Sequence, residues 1–248
     1  VAQLMTFGAT VISVQGSYEE TFELSKQAID RWGWYNRNAA INPYLSEGKK
    51  TVALEIMEQL SWQVPDYIAI SVGDGCTIAG LWKGLKDLYA IGFIDRLPRL
   101  ISAQAEGCCP INRAIAENKP WHPMEENTLA DSIAVGVPRN ADKALMAIRE
   151  SNGIVVNVSD QEIMAAQGLL GRTCGVFGEP AGVTGAAGVK KLCEQGVIGK
   201  DDTVVSVVTG NGLKDVANAI KAAGEPISIP SDMDRLLAAF AEKGITVE

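Results

Sequence analysis

Hydrophobic and polar positions follow two periods along the chain, and these predict strands and helices in turn. Short apolar runs, typical of strands covered on both faces, are followed by longer stretches in which apolar residues recur every three or four positions. The predicted strands of this kind are 67–72, 100–105, 155–158 and 203–208. We therefore predict an α/β fold with a mostly parallel sheet flanked by helices, whose strand carboxyl ends share one edge.

Helix boundaries are indicated by capping residues. Ser17 precedes Glu20 by three positions, and Ser159 precedes Glu162 in the same way, so each pair predicts a capping box that opens a helix. Asn140 is a further predicted cap. The other helices are expected at 1–7, 47–60, 77–91, 111–117, 181–195 and 233–243.

The first part of the chain shows a shorter pattern. Residues 9–14 alternate and are rich in β-branched side chains, which predicts a strand, and residues 34–36 are a second, short strand candidate. With the helices at 1–7 and 17–32, these give the order helix, strand, helix, strand. We expect that the chain begins partway through an α/β domain.

Charge and hydropathy exclude several functions. The 248 residues carry 22 Lys and Arg against 30 Asp and Glu, a formal net charge of −8, so no basic surface for nucleic acid is expected. No apolar run approaches the roughly 18 residues of a membrane helix, and no signal peptide is apparent. We expect a cytoplasmic protein with no membrane partner.

Metal and nucleophile chemistry have little support in the sequence. The five cysteines match no zinc-binding spacing and are expected as free thiols. His122 is the only histidine, which excludes a multi-histidine metal site and disfavours a Ser-His-Asp triad. No metal is therefore expected.

Two glycine-rich turns follow predicted strands. The first, Gly73-Asp74-Gly75-Cys76-Thr77, leads into a helix whose unpaired first N–H groups would favour an anion, although the same residues could form a simple tight turn. No Gly-Lys-Ser/Thr follows, and Gly80 is misplaced for a dinucleotide fingerprint. The second turn is Thr209-Gly210-Asn211-Gly212.

Six sequence blocks together form a recognisable pattern. The blocks are Glu47-Gly48-Lys49-Lys50-Thr51, Val72-Gly73-Asp74-Gly75, Arg96-Leu97-Pro98-Arg99, Gln104-Ala105-Glu106-Gly107, Glu179-Pro180-Ala181 and Thr209-Gly210-Asn211-Gly212-Leu213-Lys214-Asp215. In order and spacing, they resemble those of the threonine synthases, which belong to the fold type II (tryptophan synthase β-like) pyridoxal-phosphate enzymes. The resemblance spans most of residues 1–220.

The resemblance implies a domain organisation and a cofactor site. Residues 1–42 would be the tail of a smaller α/β domain, and residues 43–248 a large domain that binds pyridoxal 5′-phosphate. Backbone N–H groups of the first glycine turn would hold the cofactor phosphate, and Thr209 would face the pyridine nitrogen. Glu179 would lie near the cofactor edge or, as an alternative, would be a structural carboxylate that ties down a turn. The residues that would form the phosphate cup are Gly73, Asp74, Gly75, Cys76 and Thr77.

The chain departs from the family in two places. The family's Schiff-base lysine lies in a Ser-Phe-Lys-Asp motif that is absent here, so no catalytic residue is assigned, and we expect this chain to be the C-terminal part of a longer enzyme. Polar residues and an arginine that hold the substrate phosphate in the family are Ala39, Ala40 and Leu45 in this sequence. Lys49 or Lys50 could compensate for the missing donors.

The activity implied is that of a lyase, with several alternatives open. The first is threonine synthase, which converts O-phospho-L-homoserine and water to L-threonine and phosphate. The second is a pyridoxal-phosphate enzyme for an unphosphorylated amino acid, similar to threonine dehydratase or to a 2-amino-4-oxopentanoate thiolase β subunit. The others are a truncated, non-catalytic domain and a nucleotide-binding α/β domain. The resemblance also implies a homodimer.

Overall fold

The computed structural model describes residues 1–246 of the chain. Within this range, four strands and eleven α-helices follow one another, with two 3₁₀ turns at 131–133 and 212–215. The strands are β1 (Tyr67–Ser71), β2 (Arg99–Ala105), β3 (Ile154–Val158) and β4 (Val204–Ser206). The helices are α1 (Ala2–Thr6), α2 (Tyr18–Trp32), α3 (Pro43–Gly48), α4 (Thr51–Gln59), α5 (Cys76–Ala90), α6 (Pro110–Glu117), α7 (Ala141–Glu150), α8 (Asp160–Cys174), α9 (Pro180–Glu194), α10 (Val216–Ala223) and α11 (Met233–Lys243).

The four strands form one parallel sheet in the order β3-β2-β1-β4. Tyr67 pairs with Arg99 on one side and with Val204 on the other, so β1 is an internal strand. All five residues of β1 are buried, as its uninterrupted apolar run predicts. The predicted α/β architecture with a parallel sheet is confirmed, and the carboxyl ends of all four strands meet at one edge.

Helices cover both faces of the sheet and form two hydrophobic cores. Ile68 and Ile70 of β1 point to one face, where they join side chains of α4, α5, α6 and α7. Tyr67 and Ala69 point to the other face and join α8 and α9. The single strand β1 therefore contributes side chains to both cores, because successive side chains of a strand point to opposite faces.

Helix α9 packs unusually close to the sheet. A Cβ atom at Gly188 would lie 2.7 Å from a methyl carbon of Val156 and 3.1 Å from the Cβ of Ala103. Because glycine and alanine have little or no side chain, the Ala/Gly-rich sequence of α9 permits this close approach. The contact brings the N-terminus of α9 near the carboxyl edge of the sheet.

Two predicted strands in the first part of the chain are wrong. Residues 9–14 and 34–36 form no strand, and Ile12 is 77% exposed. A strand requires a neighbour for its N–H and C=O groups, and no strand within residues 1–246 pairs with either segment. The local β propensity of these residues is therefore not expressed.

Most helix boundaries agree with the capping signals. Both predicted capping boxes form, with the Ser17 and Ser159 hydroxyls accepting from the N–H groups of Glu20 and Glu162. Asn140 stands at the N-cap of α7, but its side chain makes no capping hydrogen bond. None of the helices within residues 1–246 combines the length and apolar character needed to cross a membrane.

Candidate functional site

The first glycine turn forms a loop of unpaired backbone amides at the carboxyl edge of the sheet. Strand β1 ends at Ser71, and α5 begins at Cys76 with Gly75 as its N-cap in the left-handed conformation, φ +84°. Among the described residues, no acceptor is found for the N–H groups of residues 73–78. These amides and the positive end of the α5 dipole favour an anion at this position.

The loop opens into a cavity of about 470 Å³. This volume lies within the range of small-molecule sites, roughly 300–1,000 Å³. Six of the seven residues predicted for cofactor binding line it, although they come from two distant parts of the chain. They are Gly73, Asp74, Gly75, Cys76, Thr77 and Thr209.

Asp74 holds the loop in place through all three of its oxygen atoms. Its side chain accepts from the backbone N–H of Arg139 at 2.9 Å and from the hydroxyl of Tyr18 at 3.2 Å. Its carbonyl oxygen accepts from the N–H of Asn140 at 3.0 Å. The Asp74 carboxylate is thus engaged by the protein, and its contribution to an anion site is the free backbone amide.

Two titratable groups in the cavity keep their protons at neutral pH. Burial, together with the neighbouring Asp74 carboxylate, raises the pKa of Tyr18 to about 12. Burial and then Asp74 also raise the pKa of the Cys76 thiol. Cys76 therefore stays a thiol and adds no negative charge beside the loop.

Glu179 lies outside this cavity, behind the second glycine turn. Its carboxylate is 4% exposed and accepts from the Lys214 ammonium at 2.9 Å, while its N–H donates to the Gly210 carbonyl at 2.9 Å. A Cβ at Gly210 would lie 1.8 Å from the Glu179 Oε1 atom. The carboxylate fixes the backbone next to Thr209, which itself is exposed to the cavity.

Several cavity residues were not predicted from the sequence. Ser71 and Ala181 carried a usable signal, because the last residue of β1 and the first turn of α9 both belong to the carboxyl edge. Ile133 belongs to the loop after α6, and its Cα lies 2.9 Å from where a Cβ of Gly73 would be. Tyr18 reaches the cavity from α2. Only the tertiary fold brings these last two residues to the glycine loop.

Two basic residues share the cavity wall with two apolar ones. Ala39 and Leu45 line the cavity, and so do Arg37 and Lys49. Arg37 precedes Ala39 by two residues, and Lys49 lies one helical turn after Leu45. Within residues 1–246, neither of these cations forms an ion pair.

Lys50 faces away from the cavity. Its ammonium pairs with Glu47 at 3.1 Å and with Asp87 at 3.3 Å. Lys49 is held at the cavity because α5 carries Gly80 beneath it, where a Cβ would lie 2.6 Å from the Lys49 Cβ. The two adjacent lysines therefore differ in environment.

The observed loop fits the phosphate group of pyridoxal phosphate. Consecutive free amides at a helix N-terminus suit a phosphate dianion, and the open side of the loop faces a cavity large enough for an aromatic cofactor. Thr209 presents a hydroxyl to the same space. These features come from the chain itself and agree with the cofactor implied by the sequence.

Comparisons with known proteins identify the family of this chain. The family profile described as pyridoxal-phosphate dependent enzyme matches residues 1–210. The chain is 44% identical over 238 residues to the threonine synthase of Methanocaldococcus jannaschii, covering 95% of this chain and 58% of that protein. It is 41% identical to the threonine synthase of Methanosarcina acetivorans, covering 98% and 60%. The chain thus spans about three fifths of the length of these relatives.

Solved structures show the same fold at low sequence identity. The processed threonine deaminase isoform 2 of Solanum lycopersicum superposes with a TM-score of 0.72 at 20% identity, covering 89% of this chain and 61% of that one. Maize serine racemase superposes with a TM-score of 0.70 at 20% identity, covering 90% and 66%. These likenesses establish the fold type II architecture.

Proposed function

The chain belongs to the pyridoxal-phosphate dependent enzyme family, and we propose that it is the cofactor-binding part of a threonine synthase. The reaction would convert O-phospho-L-homoserine and water to L-threonine and phosphate. The observation that carries the proposal is the free-amide loop at 73–78, which shares one cavity with Thr209 in a chain 44% identical to a threonine synthase. This assignment makes the protein a lyase of amino-acid biosynthesis.

The residues of the cavity would act by binding and orienting. Amides of Gly73, Asp74, Gly75, Cys76 and Thr77 would hold the cofactor phosphate. The Thr209 hydroxyl would meet the pyridine nitrogen, and Glu179 would support it indirectly through Gly210. Bound pyridoxal phosphate supplies an electron sink for carbanions formed next to an amino group. A neutral hydroxyl partner does not hold the ring nitrogen protonated, which suits elimination and replacement at the β or γ carbon.

Arg37 and Lys49 would recognise the phosphate of the substrate. Both line the cavity without a carboxylate partner among the described residues, while Ala39 and Leu45 offer no donor. In a chain with a net charge of −8, two unpaired cations beside an amide loop favour a second anion. The second candidate function, lysis of an unphosphorylated amino acid, is favoured by the apolar side chains of Ala39 and Leu45.

Removing the two cations is expected to weaken binding of the phosphorylated substrate selectively. The double variant Arg37→Met, Lys49→Met should lose roughly 100-fold in affinity for O-phospho-L-homoserine, because each charge-assisted hydrogen bond contributes about 1.5 kcal/mol or more. Calorimetric titration at saturating pyridoxal phosphate measures it. Lys50→Met is the matched control, since Lys50 pairs with Glu47 and Asp87. Equal losses for L-homoserine, or for Lys50→Met, would contradict this assignment.

The proposed reaction is tested on the complete gene product. We expect phosphate release from O-phospho-L-homoserine at a rate well above 2-oxobutyrate formation from L-threonine. The opposite order would support the enzyme for an unphosphorylated amino acid. If neither activity is detected and the gene encodes no Ser-Phe-Lys-Asp motif, a non-catalytic domain would be supported.

Three further expectations belong to this proposal. The division into a tail of a smaller domain, 1–42, and a large domain, 43–248, is retained, although residues 247 and 248 lie outside the described part. We also infer a homodimer, in keeping with the family resemblance, and a cytoplasmic location, in keeping with a biosynthetic enzyme. Light scattering on the purified protein tests the dimer.

A further inference from the structure

Helix α2 is attached to the glycine loop through an aromatic side chain and an arginine. Phe22 is the one buried side chain of α2. The guanidinium carbon of Arg139 lies 4.1 Å from the centre of the Phe22 ring and 6.0 Å from that of Tyr18. Arg139 comes from the segment before α7, so this stacking joins two parts of the chain more than a hundred residues apart.

The Arg139 side chain is largely buried and adds an ion pair and a hydrogen bond to this stacking contact, while its buried Nε atom has no partner among the described residues. It is 11% exposed, forms an ion pair with Glu19 and donates to the Val137 carbonyl. A planar guanidinium can stack flat on a ring and still present several N–H donors at its edge, whereas an ammonium is a compact charge with no plane to stack. The cluster formed by Tyr18, Glu19, Phe22 and Arg139, here called the α2 latch, therefore depends on arginine.

The latch leads directly to the glycine loop. The backbone N–H of Arg139 donates to one carboxylate oxygen of Asp74, and the Tyr18 hydroxyl donates to the other. Asp74 stands between Gly73 and Gly75, whose amides belong to the anion-binding loop. A movement of α2 or of Arg139 would change the hydrogen bonds that orient this loop.

We propose that Arg139 is a positioning residue, which seats α2 so that the Tyr18 hydroxyl and the Arg139 amide clamp Asp74 and hold the glycine loop in its binding conformation. It touches neither cofactor nor substrate. Its effect passes through Tyr18 and Asp74. Only the cofactor-binding arm of the test below rests on the proposed function.

Cys76 reports on the loop without any ligand. It follows Gly75, lines the cavity and is 5% exposed, so a maleimide reaches its thiol only when the loop opens. Cys193 is exposed and serves as an internal reference in the same molecule. The measurement is the rate of maleimide labelling at each cysteine of the full 248-residue chain, mapped by mass spectrometry of peptides.

In the Arg139→Met variant, maleimide is expected to label Cys76 roughly five- to tenfold faster than in the wild type, while the labelling rate of Cys193 stays unchanged. The Cys76 labelling rate of Arg139→Lys should fall between those of the wild type and Arg139→Met, because lysine keeps the positive charge that pairs with Glu19 but loses the flat stacking. Tyr18→Phe should also label faster at Cys76 than the wild type. Adding Arg139→Met to Tyr18→Phe should change the rate by less than about twofold, since Arg139→Met acts by displacing the Tyr18 hydroxyl that Tyr18→Phe already removes.

The matched control is Arg99→Met. Arg99 also stacks on a ring, 5.3 Å from the centre of Tyr67, and donates to a carbonyl, that of Asn152, but it lies at the opposite edge of the sheet. Its loss should leave Cys76 labelling unchanged. A wild-type rate in Arg139→Met, equal acceleration in Arg99→Met, or additive effects of Arg139→Met and Tyr18→Phe would each overturn the proposal.

Pyridoxal phosphate separates this inference from the cofactor assignment. The cofactor should slow Cys76 labelling in the wild type, whereas pyridoxal without phosphate should not, and Arg139→Met should need about tenfold more cofactor for the same protection. If pyridoxal phosphate does not slow Cys76 labelling in the wild type, the assignment of the glycine loop as the phosphate site is wrong. The unliganded rates still decide the role of Arg139.

Discussion

Gly75→Ala is expected to lower the affinity for pyridoxal phosphate by about 100-fold. Gly75 has φ +84°, where an L side chain costs about 1–2 kcal/mol. An added Cβ would also lie 2.7 Å from the Cβ of Ala144 and 3.0 Å from the Asn140 carbonyl, so the loop must shift. Loss of two charge-assisted amide–phosphate hydrogen bonds, each about 1.5 kcal/mol or more, accounts for the effect. Fluorescence titration with the cofactor measures it.

Gly92→Ala is the control for the backbone conformation alone. Gly92 follows the other end of α5 with φ +80°, and no atom lies within 4 Å of its added Cβ. This variant should lose about 1–2 kcal/mol of stability and keep its cofactor affinity. If both variants bind the cofactor equally well, the glycine loop is not the phosphate site.

Asn112→Leu is expected to cause the largest loss of stability, about 3–5 kcal/mol. Asn112 is 1% exposed on α6 and joins that helix to two strands. Its amide nitrogen donates to the Ser102 and Val156 carbonyls, each at 3.0 Å, and its oxygen accepts from the Ser102 hydroxyl at 2.6 Å. Leucine fills a similar volume but leaves these buried groups without partners, each costing about 1–3 kcal/mol. Urea unfolding followed by circular dichroism measures the change.

Ser102→Ala is the matched control for this network. Ser102 is fully buried and loses one hydrogen bond on substitution, so its expected cost is about 1 kcal/mol. A cost for Asn112→Leu no greater than that of Ser102→Ala would show that the amide does not join α6 to the sheet. With a typical total stability of about 5–15 kcal/mol, the expected difference is easily resolved.

Local chemistry predicted the regular elements wherever it agreed with the tertiary fold. The two capping boxes begin helices at Tyr18 and Asp160, and the apolar run of β1 forms an internal strand. Residues 9–14 have equal β propensity but no neighbouring strand among the described residues. Strand formation is therefore less predictable than helix formation, because its hydrogen-bond partners come from elsewhere.

The candidate site was only partly predictable for the same reason. The glycine loop is indicated by its glycines after a strand, whereas the roles of Thr209 and Glu179 come only from the resemblance to the threonine synthases and stay predictions. The Glu179 carboxylate contacts Gly210 and Lys214 behind Thr209, as expected of a carboxylate that ties down the turn. Asn112 and Arg139 stand in no motif, and their partners are distant in sequence.

The sequence by itself determined the parallel α/β fold and the position of the glycine turn, because periodicity, capping residues and glycine spacing act over a few neighbouring positions. The family was indicated by the resemblance of six sequence blocks to the threonine synthases. The tertiary structure alone decided that Lys49 lines the cavity while Lys50 pairs with Glu47 and Asp87, and that Arg139 reaches the glycine loop through α2. Packing between segments far apart in the chain decides which side chains line the cavity and which charged groups form ion pairs.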